Sequence, residues 1–502
     1  MGHLRVPLFI SEPMTDQDFI AWLQDPEAAR CMLVEAQVQT GGVETTRYLS
    51  NLGYTTGPAD TPANTAYLPV INSGVKFSES IDLSGSASIS FGDFEVANDD
   101  GSRDAWLDDV WVNRRIRVFF GDVRWPRAQF RPILDGVIRD INTTKRESLV
   151  LQLTDKLQRL NTSVTDTTLN DGTQNADRLL PVLFGEAFNV EPLSTNTATL
   201  EYQVHQGAIE GVIEVRDNGA PVSIKPSLAA GKFTLTQSPV GQITVSAQGD
   251  NTGGYANTVA PIIQRLATSY GTPSQRYTAA DIDTANFAAF NAAHTQAVGV
   301  YLSDKTNVLD CCQGLAASVG ASLIVTTAGL LRLVELDLPA TGTPWSVTAS
   351  DMELRSLAIT ERSTVQAAVK LGFCHNYTVQ NQLQTGIPQS SKDLFAQEWV
   401  TVTASDDAVA SNYSLTTEPD EVDTNLLVKA EAQAEAQRRL GLWKVPRHVY
   451  QFTAYAWLML VELGDAMTIT HERFGLAAGK TGLVVSIGRD WLSGRITIGV
   501  LI

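Results

Sequence analysis

From Cys31 the apolar positions recur every second residue: Met32, Val34, Ala36 and Val38 alternate with Leu33, Glu35 and Gln37. Successive side chains of an extended chain point to opposite faces, so this period predicts a half-buried strand. The same pattern returns at Ala87 to Phe91, Ile116 to Phe120, Ile133 to Ile141 and Leu149 to Leu153, with a Pro- and Gly-rich excursion at 53–64. Asp217-Asn218-Gly219, between Val212 to Val215 and Pro221 to Ile224, reads as a hairpin turn. A second hairpin is expected to join Phe233 to Leu235 with Ile243 to Val245. Tyr450, Phe452, Ala454, Ala456 and Leu458 alternate again, and Ile496, Ile498, Val500 and Ile502 end the chain in strand register.

A helical period appears in fewer places. Thr15 with Asp18 three residues on is a helix start, and Pro26 limits that helix to two or three turns. It is expected to be a packed helix or a partner-binding arm. Helical patterns run over 260–269 and 282–293. In 307–319, Val308, Cys311, Cys312, Leu315, Ala316 and Val319 form one apolar stripe. Leu323 to Val325 and Leu331 to Val334 then read as a hairpin around Thr327-Ala328-Gly329. A last helix is expected from Asn425 to Leu440, stopped by Gly441. The polar stretches 381–391 and 405–417 read as exposed loops.

Many short strands with few helices predict a mainly β protein with a smaller α+β part, made of several barrel or sandwich domains. The expected division is an arm at 1–30, a first barrel at 31–165 and a linker at 166–180. A small β domain at 181–258 and an α+β domain at 259–345 follow. A second barrel takes 346–502, with a helix at about 425–440. At 502 residues, three or four domains are also what length suggests.

Composition narrows the chemistry. The net charge of −18 argues against a surface that grips nucleic acid, which needs clustered Lys and Arg. The four cysteines, Cys31, Cys311, Cys312 and Cys374, form no CxxC pair and read as reduced, buried thiols of a chain folded in cytoplasm. The N-terminus shows no apolar core of a signal peptide, and no run reaches the ~20 apolar residues of a membrane helix.

Catalytic signatures are absent from the sequence. There is no HExxH, GxSxG, P-loop or GxGxxG, and the six histidines are scattered. Asn98 and Asp100 are the metal candidates, because Asn98-Asp99-Asp100-Gly101 resembles part of a calcium loop. Val96 and Leu107 stand where that loop needs its first and last ligands, so an acidic turn is the simpler reading. Asp108-Asp109 and Asp406-Asp407 are adjacent acids, which point apart on a strand and make no acid/base pair by adjacency. Trp106, Trp111 and Trp125 would serve as a sugar-binding shelf if exposed, with core packing the favoured alternative. No catalytic residue and no cofactor is expected.

Four patches resemble the baseplate hub or tail-tip proteins of long-tailed phages and the related hubs of gene-transfer particles. The first holds Tyr48 to Asn51, the turn 57–61, Pro62 to Thr65, Ser90 to Gly101, Ile133 to Ile138 and Leu149 to Leu160. The second is Pro181 to Pro192 with Tyr202 to His205. The third is the helix and hairpin of 307–334. The fourth is Leu463 to Thr470, then Arg473 to Leu476 and Gly479-Lys480. The resemblance implies a homotrimer in which each chain supplies two similar barrels. Three chains then mimic a six-fold ring between the tail tube and a three-fold tip. It implies a place in the virion tail after assembly in the host cytoplasm. The implied partners are distal tail, tape-measure and tip or fibre proteins, with DNA passing a lumen at genome ejection. Gly136 to Asp140 and Gly482 to Val485 are the internal sign of two related barrels. No lysozyme-like module, coiled coil or fibre follows Ile502, so wall digestion and receptor binding are expected of a partner. The rival readings are a tail-associated glycan hydrolase and a host-receptor or sugar-binding tail protein.

Overall fold

The computed structural model describes residues 14–72, 76–83, 87–170 and 175–502, with the backbone alone at 87–91. The expected arm (1–30) and linker (166–180), and the side chains of Ser90 and Phe91, therefore lie partly or wholly outside the described residues. The chain is mainly β, with a smaller α+β part.

The first barrel comprises β1 (Arg30–Thr40), β2 (Val43–Ser50), β3 (Tyr54–Thr55), β4 (Ala66–Pro69), β7 (Phe94–Ala97), β8 (Arg115–Asp122), β9 (Arg131–Lys145) and β10 (Ser148–Thr154). Between β4 and β7 the chain forms a hairpin, β5 (Lys76–Ile81) and β6 (Ala87–Phe91), that belongs elsewhere. The sheet order is β3-β4-β2-β1-β8-β9-β10-β7. One short segment closes it. β4 runs parallel to β2, and the chain just beyond bonds to β7: Ala97 N donates to Val70 O at 2.7 Å and Asn72 N to Glu95 O at 3.0 Å. β1 was expected to bury one face. It buries both from Cys31 to Ala36, because Leu33 and Cys31 meet Tyr67, Phe119 and Phe130 while Met32 and Val34 meet the central core.

The second barrel comprises β11 (Trp345–Thr348), β12 (Ala358–Arg362), β13 (His448–Tyr455), β14 (Ala466–Thr470), β15 (Lys480–Asp490) and β16 (Arg495–Leu501), in the order β11-β14-β15-β16-β13-β12. It closes in the same way. β11 runs parallel to β14, and Glu353 N donates to Thr453 O of β13 at 2.8 Å.

The two barrels contain one repeated unit. The neighbours β7-β10-β9-β8 and β13-β16-β15-β14 have the same strand order when each is counted along the chain. The register agrees as well. Gly136 lies opposite Ile116, the second residue of β8, and Gly482 lies opposite Met467, the second residue of β14. Neither glycine opens its strand, as the sequence pattern suggested; both sit inside it.

The β5–β6 hairpin leaves its own barrel. β5 pairs antiparallel with β15 through Ser80↔Ser486 to Lys76↔Asp490. The helix Asp16–Leu23 is capped by Thr15, whose hydroxyl accepts from Asp18 N at 3.2 Å, and it packs as a brace. Its Phe19 and Leu23 join one apolar core with Phe120 of β8 and Trp491 after β15, whose rings lie 5.4 Å apart.

The intervening chain forms the α+β part. A five-stranded sheet includes Val182–Val190, Ile209–Asp217 and Ile243–Asp250, and helices Val259–Ser269, Thr284–Ala293 and Val308–Ala317 pack beside it. The Asn218-Gly219 turn is formed, with both residues at positive φ. The expected second hairpin is not: Lys232–Leu235 and Ile243–Asp250 lie in different sheets. Residues 368–443 were expected in the second barrel. Their strands Ala368–Phe373 and Val400–Ser405 and helix Lys429–Trp443 instead pack on the α+β core, where Leu371, Val402, Ala432 and Ala436 are buried beside Leu315. That helix passes through Gly441, which faces open space. The two polar stretches contain short helices, Gln389–Phe395 and Asp407–Tyr413. Val164 and Thr165, next to the expected linker, are buried.

The two equivalent glycines should respond differently to a Cβ. At Gly482 it would stand 2.1 Å from the Leu501 carbonyl oxygen, whereas at Gly136 the nearest atoms are 3.5 Å away. Gly482→Ala is expected to cost about 1–3 kcal/mol and Gly136→Ala less than about 1 kcal/mol. Thermal unfolding of the two variants checks this.

Candidate functional site at the junction of the barrels

β5 carries Phe77, Glu79 and Ile81 inward, and β15, after a bulge between Val484 and Ser486, carries Ile487 and Arg489 on its inward face. Glu79 and Arg489 thus occupy apolar phases of two paired strands. Their side chains meet at 3.1 Å, with 5% and 2% exposure. Arg489 also donates to the carbonyls of Met459, at 3.1 Å, and Val461. Burial pushes the Glu79 carboxyl up, and Arg489 pulls it down less strongly.

The charges continue outward as a chain. Glu462 pairs with Arg332, which donates to Asp283 at 2.8 Å and so reaches the α+β part. On the first barrel, Arg115 forms a fork on Asp135 at 2.9 and 2.6 Å. Lys156, almost fully buried, binds Asp281 at 2.6 Å and donates to Gly329 O at 3.0 Å. Gly329 is fixed by space and conformation: its φ is +78° and a Cβ would lie 2.5 Å from that of Asp135. Asp155 accepts from Leu157 N at 2.9 Å, and burial beside the Glu79 charge pushes its carboxyl up to about 7.

Two cavities flank this seam. One of 590 Å³ is lined by Phe19, Arg131, Glu462, Asp465, Arg489 and Trp491. The other, 670 Å³, is lined by Arg114, Arg115, Asp135, Lys156, Arg159 and Asp281. Glu79, Glu462, Asp135, Asp281 and Asp283 each hold a cation. The arrangement therefore fastens three bodies together.

The sequence-predicted site residues lie apart from this seam. Asn98 is buried. Its amide donates to Asp104 at 2.7 Å and its oxygen accepts from Arg103 N at 2.9 Å. Asp100 accepts from Ser102 N and Oγ at 3.0 and 2.7 Å. Both side chains are spent on the turn. Among the described residues no group of three His, Cys, Asp or Glu could hold a metal. Trp106 and Trp111 pack together in the core at 5.7 Å, and Trp125 packs on Trp22 at 4.6 Å, so the three form no shelf. Asp109 pairs with Arg47, and Asp406 caps a helix. The cysteines are free, and burial pushes the Cys31 and Cys311 thiols up to about 12. Among the described residues, no helix is long and apolar enough to cross a membrane.

Solved phage tail proteins align with this chain over most of its length. The 43 kDa tail protein of prophage MuSo2 from Shewanella oneidensis aligns at 10% identity over 94% of this chain and 98% of that one, with a TM-score of 0.42. Prophage tail protein gp18 from Listeria monocytogenes EGD-e aligns at 12% identity over 88% and 93%, with a TM-score of 0.41. A chain in the virion of a native gene transfer agent particle aligns at 13% identity over 69% and 91%, with a TM-score of 0.40. No protein-family model and no curated protein matches the sequence.

Glu79 and Arg489 escaped sequence reasoning, although the signal was present: each is a charged residue in the apolar phase of a strand. Glu79→Leu should destabilise the chain by about 3–5 kcal/mol, because it strands a buried cation. Adding Arg489→Met should restore most of that, as read by denaturant unfolding of the single and double variants.

Asp155 gives a pH dependence of known sign. Its folded carboxyl ionises at about 7, against about 3.9 when unfolded. Between those values the folded state keeps a proton that the unfolded state has lost, so stability falls as pH rises through this window and stays low above it. Asp155→Asn removes that loss. It should match the parent near pH 4 and exceed it by about 2–4 kcal/mol at pH 8, in unfolding curves at the two pH values.

Proposed function

We propose that the chain is the structural hub of a phage tail baseplate and works by assembly rather than catalysis. The observation that carries this is the four-strand unit that occurs twice in one chain with the same order and register. Three copies of such a chain bring six units, which is what a three-fold object needs to meet a six-fold tube. The four sequence patches point to the same role, and the seam of ion pairs suits a part that holds its two barrels in a fixed relation.

In this reading the protein is a homotrimer of the virion tail, assembled in the host bacterial cytoplasm. It contacts the distal tail protein, the tape-measure protein and tip or fibre proteins. DNA passes its lumen at ejection without specific binding, and the net charge of −18 favours such passage by repelling phosphate.

Light scattering on purified protein, followed by electron microscopy of virions, tests the proposal. A trimer and density for the chain at the tail tip are expected. A monomer absent from particles overturns it.

A further inference from the structure

The repeat leaves one position filled in the second barrel and vacant in the first. In the second barrel, the half of β15 near its hairpin tip extends past β14, and β5 lies along that stretch from Ser486 to Asp490. In the first barrel, β9 likewise extends past β8, whose pairing stops at Val137. From Arg139 to Lys145 that side of β9 has no strand beside it among the described residues. Arg139, Asp140, Thr143, Thr144 and Lys145 are exposed.

The topology explains the vacancy. The β5–β6 hairpin lies between the closing segment of the first barrel and the first strand of its four-strand unit. In the second barrel the corresponding stretch is 354–447; it holds β12, which lies along β13, and the paired strands Ala368–Phe373 and Val400–Ser405, which are held against the α+β core. Among the described residues, none of these strands lies along β9 as β5 lies along β15.

A bare strand edge is a template for another strand. Resting on the hub reading above, we propose that the occupant is β12 of a second copy. β12 is the outer strand of the second barrel. It pairs on one side with β13, and all five of its residues, Ala358 to Arg362, are exposed. The vacancy spans seven residues, enough for the five of β12, which are as many as pair between β5 and β15. Antiparallel pairing that sets Asp140 opposite Arg362 brings Thr144 opposite Ala358, with an acid against a base at one end. The in-chain contact runs from first barrel to second. The proposed contact runs from second barrel to the first barrel of the next copy. Alternating the two is a head-to-tail arrangement that can close a ring.

The test uses the full chain with one cysteine added in a background where the half-buried Cys374 is replaced by Ala and the other three thiols are buried. Thr144→Cys and Ala358→Cys are made in separate preparations, mixed, assembled and oxidised. A disulfide-linked pair is expected only in the mixture. As a second readout, Asp140→Arg should weaken trimer formation about tenfold, and adding Arg362→Asp should restore it. Trimers that neither cross-link nor respond to the charge swap overturn this docking and leave the hub reading intact. Monomers at every concentration in the parent chain overturn the hub reading, and this contact with it.

Discussion

The pairing of β5 with β15 is the constraint on which the rest of the structure depends. It takes a strand whose sequence lies inside the first barrel and makes it part of the second, more than 400 residues away along the chain. Such a contact closes a very large loop, so it must be favourable enough to offset that entropy. Backbone hydrogen bonds supply part of this. Phe77 and Ile81 supply apolar burial. Glu79 and Arg489 supply register, because a one-residue slip of β5 would turn Glu79 to the other face while β14 and β16 hold β15 in place, leaving both charges unpaired.

From that pairing the joint core follows. Once β5 is in place, Phe120 of the first barrel and Trp491 of the second sit in contact, and the helix Asp16–Leu23 covers the junction with Phe19, Trp22 and Leu23. The barrels therefore share apolar side chains instead of meeting as separate surfaces. Two bodies joined through shared core move far less against each other than two joined by a linker. The charges from Glu462 through Arg332 to Asp283 extend the same rigidity to the α+β part.

Much of this was legible in the sequence, and the failures share one cause. Local periods identified β1, β6, β8, β9, β10, β13 and β16 but not β2 to β5, β7, β11, β12 and β14, and local signals also gave the Thr15 cap, the Asn218-Gly219 turn and the apolar stripe that becomes Val308–Ala317. Period two says that a strand is half-buried but not which strand lies beside it. Hence Lys232–Leu235 and Ile243–Asp250 were joined into a hairpin they do not form. Residues 368–443 were placed in the second barrel for the same reason: their strands have ordinary alternation, and only their packing on Leu315 reveals the other core. Gly441 read as a stop because glycine is common there, but nothing at that position requires a left-handed residue. At the junction, Glu79 and Arg489 were visible as charges in apolar phases. Their partnership was not, since sequence distance carries no information about a strand exchanged between barrels.

The repeat also shows where equivalence ends. Both four-strand units keep the order, the register of the inner glycine and the closing segment with one parallel and one antiparallel neighbour. What differs is what each unit sends outward. The first sends a short hairpin to its neighbour; the second carries a long insertion that folds onto the α+β part. Diverging the insertions makes one junction intramolecular and permanent, and confines the remaining edges to one barrel each. In the proposed trimer the two halves are thus alike enough to occupy similar places and different enough that each contact has only one partner.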